Sequence, residues 1–197
     1  MGIAATPSSS GKGRLLEAAI PLFLRNGFGP VGIDQIIDTV GVTKTTFYKH
    51  FESKDDLIVK ALAHHHEMEM GKIQAEIARI GGGDPRAQVL AIFDVLDAWF
   101  AEAGFRGCIF INAATEFPQK SDPIHVAAVM HGDDLSTLIC EKLIAAGAAR
   151  GPAEVAAERI MLLVTGAVVS RQTAVMYDAA KVARPMVEML VDRAIAG

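Results

Sequence analysis

Apolar residues recur along the chain at intervals of three and four positions, the spacing that places side chains on one face of an α-helix. In the first such run, residues 13–26, these positions are Leu15, Ala19, Leu22 and Phe23. Gly27 follows as a natural helix end. Pro21 lies inside the run and predicts a bend, because proline has no backbone N–H. The first predicted element is therefore an amphipathic helix that contains a proline.

The same spacing, interrupted at glycine- and proline-rich breaks, predicts eight further helices. These are expected at 33–40, 44–51, 53–80, 86–103, 107–117, 123–147, 153–176 and 179–195. Thr43 and Ser53 precede two of them as N-caps, and Pro185 leaves the start and straightness of the last one open. Sustained strand-like alternation and internal repeats are both missing from the sequence. The pattern therefore predicts an all-α fold of about nine helices.

Composition supports this fold class and narrows the possible cellular location of the protein. Hydrophobic residues make up 51% of the chain but aromatic residues only 6%, so the core must be mostly aliphatic. The longest apolar stretch, 160–170, is too short to span a bilayer. Two distant cysteines, Cys108 and Cys140, do not suggest a disulfide-stapled secreted domain. Residues 1–11 lack the apolar core of a secretory signal and predict a flexible arm. We therefore expect a cytoplasmic protein without membrane association.

The charge is distributed unevenly along the chain. The formal net charge is −4 at pH 7. Residues 1–51 hold five basic and three acidic side chains, a formal +2, which leaves −6 for the remainder. A less acidic N-terminal third joined to an acidic body suits a nucleic-acid binder. The asymmetry is modest and by itself selects no function.

The segment 41–57, GVTKTTFYKHFESKDDL, concentrates side chains that suit contact with DNA. Phe47 and Phe51 are four residues apart and share one helix face, where they can anchor the helix on its neighbours. Short polar and basic side chains occupy the other faces. A glycine turn joins this helix to the one before it. Three short helices arranged in this way describe a helix-turn-helix unit, whose last helix enters the major groove of DNA.

Side-chain chemistry divides the candidate contacts into two groups. Threonine and lysine can reach base edges, whereas lysine and the hydroxyl groups of threonine and tyrosine also reach phosphate. For base contacts we expect Lys44, Thr45 and Thr46. For phosphate contacts we expect Thr43, Tyr48, Lys49, His50 and Lys54. The last of these lies at the start of the helix that Ser53 caps, where backbone N–H groups add a further anion site.

Residues 27–57 resemble the N-terminal domain of the TetR family of transcriptional regulators. The shared pattern comprises a Gly-aromatic pair after the first helix, Asp-x-Ile in the second and Gly-Val-Thr-Lys at the turn. It continues with Tyr-x-His-Phe at the end of the third helix and Ser-Lys-x-x-Leu at the start of the fourth. Two positions depart from the family. Gly32 replaces the usual serine or threonine, so no side-chain phosphate contact is assigned there, and Ile37 is larger than usual.

The resemblance implies an architecture and a mode of action. A flexible arm at 1–11 would precede a DNA-binding domain at 12–52 and a ligand-binding and dimerisation domain at 53–197. The protein would be a homodimer, joined through residues 153–195, that binds a near-palindromic operator on double-stranded DNA. A small-molecule effector of unknown chemistry would release it, with repression as the expected mode and no cofactor. The apolar dimer positions would be Ile160, Leu163, Val164, Val168, Met186, Met189 and Leu190.

Residues 105–131 are similar to a Gly-Cys-x-x-x-Asn-x-x-x-Glu-Phe pattern found in a subset of the family. Asn112 and Glu116 are four apart and share a helix face. They either orient a ligand in a pocket or satisfy neighbouring backbone groups or an arginine such as Arg171, and both alternatives stay open. The candidate ligand-binding residues are Phe93, Trp99, Cys108, Phe110, Asn112, Glu116 and Met130, with Phe100 adding apolar bulk. For the aromatic residues alone, core packing is favoured.

Two further features favour ordinary structural roles. Consecutive helical residues point about 100° apart, so His64, His65 and His66 do not chelate one ion, and no metal site is expected. Cys108 would act as a redox sensor only with a lowered pKa, for which Arg106 is the obvious candidate cation. Inert buried thiols are the commoner case.

Two rival functions are kept open. A helical enzyme that uses Cys108 with His131 or Glu116 would lack any recognisable nucleophile motif or diagnostic spacing. A protein-interaction module that kept the fold but lost DNA binding would bind no operator. Operator binding with a steep salt dependence separates both from a DNA-binding regulator.

Overall fold

The computed structural model describes residues 10–197, and this part of the chain is helical throughout, without strands. Its helices are α1 (Gly11–Asn26), α2 (Ile33–Val40), α3 (Lys44–His50), α4 (Lys54–Gly81), α5 (Pro85–Phe100), α6 (Ile109–Glu116), α7 (Pro123–Ala145), α8 (Arg150–Gln172) and α9 (Ala179–Ala196). The predicted all-α class is confirmed. Most of the predicted arm, residues 1–9, lies outside the described residues. Ser10 and Gly11 form the cap and the first residue of α1.

Side-chain caps explain where the helices of the N-terminal region begin. Thr43 Oγ1 accepts the N–H of Thr46 at 3.2 Å. Ser53 Oγ accepts the N–H of Asp56 at 3.1 Å. Each bond satisfies a donor that the first helical turn leaves without an intrahelical partner. Both predicted N-caps are therefore confirmed.

α8 differs most from its predicted bounds. It begins at Arg150, so that Pro152 lies in its first turn. A proline is tolerated there because the N–H that it lacks would have no intrahelical partner. The helix ends at Gln172 because Ala174 adopts a left-handed φ of 57°. The N–H groups of Val175 and Met176 then both turn back to the carbonyl of Ser170.

Two helices continue through an internal proline. Pro21 lies inside α1 and Pro185 inside α9, and α9 starts at Ala179, as predicted. Both prolines are exposed. On an exposed face, water can satisfy the carbonyl that loses its helical donor, which limits the cost of the missing bond.

The described residues form two compact units, of which the first comprises those up to Met68 together with Cys108–Val129. Within it α1 packs on α2 and α3. Phe23, Phe28, Phe47 and Phe51 are buried in its core. Residues distant in sequence, Ile109, Phe110, Ala113, Ile124 and Ala128, complete the same core. The helical spacing did not predict that α6 packs with the N-terminal helices.

The second unit comprises Glu69–Gly107 and Met130–Gly197. α9 packs against α8 and α5. Three basic residues link α5 and α9 through ion pairs, Arg86 with Asp192 at 2.6 Å, Lys181 with Asp97 at 3.3 Å and Arg184 with Asp94 at 3.2 Å. The predicted functional division between residues 52 and 53 stays a prediction, since these units describe compactness only.

The seven apolar positions predicted for a dimer interface divide into two groups. Ile160, Val164 and Val168 are buried within the protomer's own second unit, so they do not face outward as expected. Met186 and Met189 are exposed, whereas Leu163 and Leu190 are half-buried. The outward apolar surface instead comprises Val155, Leu162, Val169, Val182, Met186 and Met189, named the apolar face below. A helix buried on two sides has apolar residues on both, and spacing alone does not separate them.

A membrane-spanning segment was not expected, and among the described residues every helix is too short or too polar to cross a bilayer.

Candidate DNA-binding surface

A tight glycine turn joins α2 to α3. Gly41 has a left-handed φ of 72°, and its N–H bonds to the carbonyls of Ile37 and Asp38. The N–H of Val42 also reaches the Ile37 carbonyl, at 3.1 Å. This geometry ends α2 and redirects the chain within two residues, which a residue with a Cβ does less readily. The helix-turn-helix predicted from the sequence is present.

Two aromatic anchors decide which face of α3 points outward. Phe47 and Phe51 are fully buried, with ring centroids 5.4 Å apart. With these rings inside, five predicted DNA contacts are exposed on the outer side. They are Thr43, Lys44, Thr45, Tyr48 and Lys49, named the recognition face below. Tyr48 is 54% exposed although it follows a fully buried phenylalanine, so a single residue step separates anchor from surface.

Thr46 and His50 are less accessible than the recognition face. Both are half-buried. The hydroxyl groups of Thr46 and Thr43 lie 3.0 Å apart, within hydrogen-bond distance. Thr45 is therefore better placed than Thr46 to present a hydroxyl to a base edge.

Lys44 is tied to the start of α2. Its Nζ lies 2.8 Å from Asp34 Oδ1 and 3.1 Å from Asp34 Oδ2. The hydrogen bond that Lys44 donates to Asp34, reinforced by the negative charge of that carboxylate, raises the pKa of Lys44 above its usual value. Both side chains are exposed, so the ion pair orients the lysine more than it stabilises the fold.

Lys54 has a different environment from the one its predicted phosphate contact requires. Its ammonium donates to three backbone carbonyls of the α1–α2 loop, those of Phe28 at 2.8 Å, Gly29 at 3.1 Å and Val31 at 3.0 Å. An ammonium has three N–H donors, so all of them are engaged within the protein. The phosphate contact of Lys54 stays a prediction, while the geometry gives this side chain a role in the loop.

The start of α1 lies beside α3, which the sequence did not indicate. A Cβ placed on Gly11 would lie 3.7 Å from His50 Nε2 and 3.8 Å from Thr46 Cγ2. The neighbouring Lys12 is exposed, and it directly follows the glycine that lies beside His50 and Thr46 of α3. Nothing in the local pattern distinguishes Lys12 from an ordinary surface lysine, and only the packing of α1 on α3 identifies it.

Comparison with known proteins agrees with this geometry. The family model described as bacterial regulatory proteins, tetR family, matches residues 15–61, the segment that contains most of α1, all of α2 and α3 and the start of α4. This chain belongs to the TetR family. A TetR-family transcriptional regulator from Streptomyces coelicolor is similar in structure, with 28% identity and a TM-score of 0.79 over 92% of this chain and 94% of that one.

Curated relatives of this TetR-family chain are transcriptional regulators. The HTH-type transcriptional activator FasR of Mycolicibacterium smegmatis is 30% identical over 68% of this chain. The HTH-type transcriptional repressor NemR of Escherichia coli is 27% identical over 57% of it. The match spans only 60% of the length of FasR and 57% of that of NemR. These relatives are regulators and not enzymes, so the helical-enzyme alternative is not supported.

The predicted effector residues of this TetR-family chain lie partly in each unit. In the first unit, Cys108 precedes α6, and Phe110 is buried close to two histidine rings of α4. Its ring centroid lies 5.7 Å from His65 and 6.3 Å from His66. Asn112 is half-buried on α6. These placements leave the predicted ligand contacts of Cys108, Phe110 and Asn112 as predictions.

Glu116, at the end of α6, hydrogen-bonds to the α1–α2 loop. Its Oε2 accepts the N–H of Phe28 at 3.0 Å, and its Oε1 accepts the N–H of Gly29 at 2.6 Å. Arg171, the arginine considered as a partner, instead donates twice to the carbonyl of Phe100, at 2.9 and 3.1 Å. Of the two alternatives for Glu116, satisfaction of backbone groups is the one that the structure contains.

The remaining predicted effector residues belong to the second unit. Phe93 is fully buried, and Met130 is 49% exposed. Trp99 is half-buried, with its ring 4.8 Å from that of Phe105 and 5.8 Å from that of Phe100. Core packing accounts for Phe93 and for most of the Trp99 surface. A ligand contact by any of the three stays a prediction.

Two surface grooves in the second unit lie elsewhere. One of about 470 Å³ is lined by residues of α8 and α9, and one of about 340 Å³ by residues of α7 and α8. The predicted effector residues line neither groove. Among the described residues, His, Cys, Asp and Glu side chains do not form a group of three that could hold a metal ion. Burial raises the pKa of Cys140, which keeps its thiol protonated.

Proposed function

We propose that this chain is a ligand-responsive transcriptional regulator that binds a near-palindromic operator as a homodimer. The observation that supports this proposal best is the recognition face. Five polar or basic side chains are exposed on one side of a short helix whose other side is anchored by two buried phenylalanines. The helix lies in the segment that matches the family model. It would act in the cytoplasm, where operator DNA is accessible.

In this proposal some of the predicted contacts around α3 bind base edges and the others bind phosphates. Lys44, held by Asp34, and Thr45 contact base edges in the major groove, with Thr46 behind them. Thr43, Tyr48, Lys49 and His50 contact phosphates and set the register of the helix. The two heads of a dimer would occupy half-sites about one helical turn, ~34–36 Å, apart.

The apolar face is the proposed contact with a second copy of the chain. Leu162 is 74% exposed and Met189 is 72% exposed. Along α9 the exposed apolar positions Val182, Met186 and Met189 are separated by four and three residues, which forms a stripe along one helix face. Large exposed apolar surfaces mark interaction sites. An isologous pairing of these stripes would bury them and hold two recognition helices in one molecule.

An effector would act by binding one conformation of the dimer better than the operator-bound one. The candidate contacts remain those predicted from the sequence, which combine aromatic bulk with a few polar groups, except Glu116, whose carboxylate is bound to the α1–α2 loop. Mass spectrometry of the purified protein, with extract fractions added to an operator assay, would identify the ligand. A ligand that leaves operator affinity unchanged would contradict this role.

The deciding experiment measures binding of the purified protein to the DNA upstream of its own gene by fluorescence anisotropy over a range of salt. Lys44→Ala and Tyr48→Ala are expected to weaken binding by about tenfold or more each, because each removes contacts from both half-sites. Lys72→Ala is the matched control, since Lys72 is an exposed lysine on α4 paired with Glu69. Unchanged binding by both variants, with binding by the wild type, would show that another surface contacts DNA.

Repression is the proposed sign of regulation. One relative is named a repressor and another an activator, so a reporter gene behind the same upstream DNA has to decide it. Lower expression with the protein than without it supports repression, and higher expression assigns the opposite sign. Failure of the wild-type protein to bind any such DNA would favour a fold-sharing interaction module.

A further inference from the structure

The loop between α1 and α2 is held by two charged side chains that come from distant parts of the sequence. The carboxylate of Glu116 accepts the N–H groups of Phe28 and Gly29, at 3.0 and 2.6 Å. The ammonium of Lys54 donates to carbonyls of the same loop, at 2.8 to 3.1 Å. An anion thus binds the donors of the loop and a cation binds its acceptors. Hydrogen bonds with one charged partner are stronger than neutral ones.

The sequence of the loop permits this close approach. A Cβ on Gly29 would lie 3.3 Å from Glu116 Oε1, and one on Gly27 would lie 3.4 Å from Oε2. Gly27 also has a φ of 80°, which side chains rarely adopt. Between the two glycines, Phe28 is buried, with its ring 4.8 Å from that of Phe23 and 5.7 Å from that of Phe117. Glu116 and Phe117 therefore hold this segment by both its backbone and its ring.

The loop leads directly into the helix-turn-helix. It ends at Gly32, the N-cap of α2, which has no side-chain capping bond. Serine or threonine at such a position would fix the start of the helix through its hydroxyl group. Here the backbone just before the cap is fixed instead, through the Lys54 bond to the carbonyl of Val31. Because α2 is joined to α3 by the tight turn at Gly41, the position of this loop influences where the recognition face points.

We propose that Glu116 and Lys54 are positioning residues that clamp the α1–α2 loop and thereby orient the recognition helix, without touching DNA themselves. This assignment replaces an effector contact for Glu116 and a phosphate contact for Lys54. It rests on the proposed DNA-binding function. The clamp uses only bonds between residues of the first compact unit, so forming it requires no contact with DNA.

The salt dependence of operator binding separates positioning from phosphate contact for Lys54. Loss of a phosphate contact lowers the slope of log affinity against log salt by about 0.9 per contact, or about 1.8 for two protomers. Lys54→Met is expected to weaken binding by about tenfold at every salt concentration, because the charged hydrogen bonds that hold the loop are lost. The number of phosphate contacts, and with it the number of counterions that binding releases, is the same as in the wild type. The slope stays at the wild-type value. Lys49→Met is the matched control, and its slope should fall. A reduced slope for Lys54→Met would overturn the positioning role of Lys54.

For Glu116, the test is whether its substitution weakens or strengthens DNA binding. Removing a negative charge near DNA ordinarily strengthens binding. Glu116→Gln is instead expected to weaken it by about five- to tenfold, because an amide NH₂ replaces one of the two acceptors and faces an N–H group. Glu52→Gln is the control, since Glu52 is an exposed carboxylate close to α3, and its binding should be unchanged or stronger. If the two variants behave alike, the clamp has no role in DNA binding.

Amide hydrogen exchange without DNA tests the clamp itself. Glu116→Gln should speed exchange over residues 28–31, while the amides around Phe47 keep their protection. Gly29→Ala, which crowds the carboxylate and leaves both charged residues in place, should give a smaller change in the same direction. Unchanged exchange in both variants would refute the clamp. If the wild-type protein binds no operator, the proposed function fails, and exchange still decides whether the loop is clamped.

Discussion

The recognition face of α3 and the apolar face of α8 and α9 are both exposed, but their side chains are distributed in opposite ways. On α3, two buried phenylalanines anchor the helix and leave polar and basic side chains outside. On α8 and α9, small and branched aliphatic residues are packed inside, and leucine, valine and methionine side chains are left outside. A polar surface is stable in contact with water, whereas covering an apolar surface lowers the free energy of the protein. The comparison therefore predicts DNA as an optional partner and a second copy as a permanent one.

The largest expected effect comes from the anchor of the recognition face. Phe47→Ala should lower the free energy of unfolding by about 3–5 kcal/mol, because it leaves a cavity in a fully buried site. Urea denaturation followed by circular dichroism measures this. The neighbouring Tyr48→Ala is the control, since Tyr48 is exposed and should lose DNA affinity with less than about 1 kcal/mol of stability. Equal destabilisation by the two variants would contradict the division of α3 into an anchor and a surface.

The next largest effect concerns the apolar face. Leu162→Asp combined with Met189→Asp should convert the dimer to a monomer, because covering these positions would bury unpaired charges. Operator affinity should then fall by about a hundredfold or more, since the second head no longer binds as part of the same molecule. Analytical ultracentrifugation and anisotropy measure the two effects. Val126→Asp, at an exposed valine of the other unit, should change neither. A dimeric double variant would place the interface elsewhere.

A smaller effect is expected where α9 is attached to α5. Arg86 contacts both Asp192 and Glu188, and their carboxylates raise the pKa of its guanidinium. All three side chains are partly exposed, so Arg86→Ala should lower the stability by only about 0.5–1 kcal/mol. The difference from the wild type should shrink in high salt. A loss that is independent of salt would mean that the arginine stem, and not its charge, makes the contribution.

The smallest predicted effect depends on pH and concerns Asp56 in the first turn of α4, shortly after the recognition helix. Partial burial of Asp56 opposes ionisation, but bonds from Lys60 and from the N–H of Glu52, with the charges of Lys60 and Lys12, hold its pKa below the usual value. A carboxyl with a lowered pKa adds stability that is present above the unfolded-state pKa and is lost as the pH falls through the folded-state pKa. Thermal melts of the wild type and Asp56→Asn should therefore differ near neutral pH and converge in strong acid. A constant difference would exclude ionisation as the cause.

Local features of this protein could be predicted from the sequence because short-range physics decides them. The caps at Thr43 and Ser53, the turn at Gly41 and the buried pair Phe47 and Phe51 all depend on residues within four positions. Hydrogen-bond geometry and helical periodicity operate over that range. For the same reason α2 and α3 match their predicted bounds to within one residue.

Features that depend on distant neighbours were predicted less well. Ile160, Val164 and Val168 have the spacing of an interface but are buried inside the protomer, since periodicity shows which residues share a face and not what covers it. Lys54 and Glu116 have the chemistry of a phosphate contact and a ligand contact. In the structure they bind opposite groups of one loop, and Glu116 does so across 87 residues of sequence.

The sequence by itself determined the all-helical class, the helix-turn-helix and the five residues of the recognition face, because each follows from contacts within one or two helical turns. Only the tertiary structure decided that α6 packs with the N-terminal helices, and that Lys54 and Glu116 both bind the α1–α2 loop. Charged side chains take the partners that folding brings within about 3 Å of them. Residue type limits those partners to donors or acceptors, and the packing of distant helices selects among them.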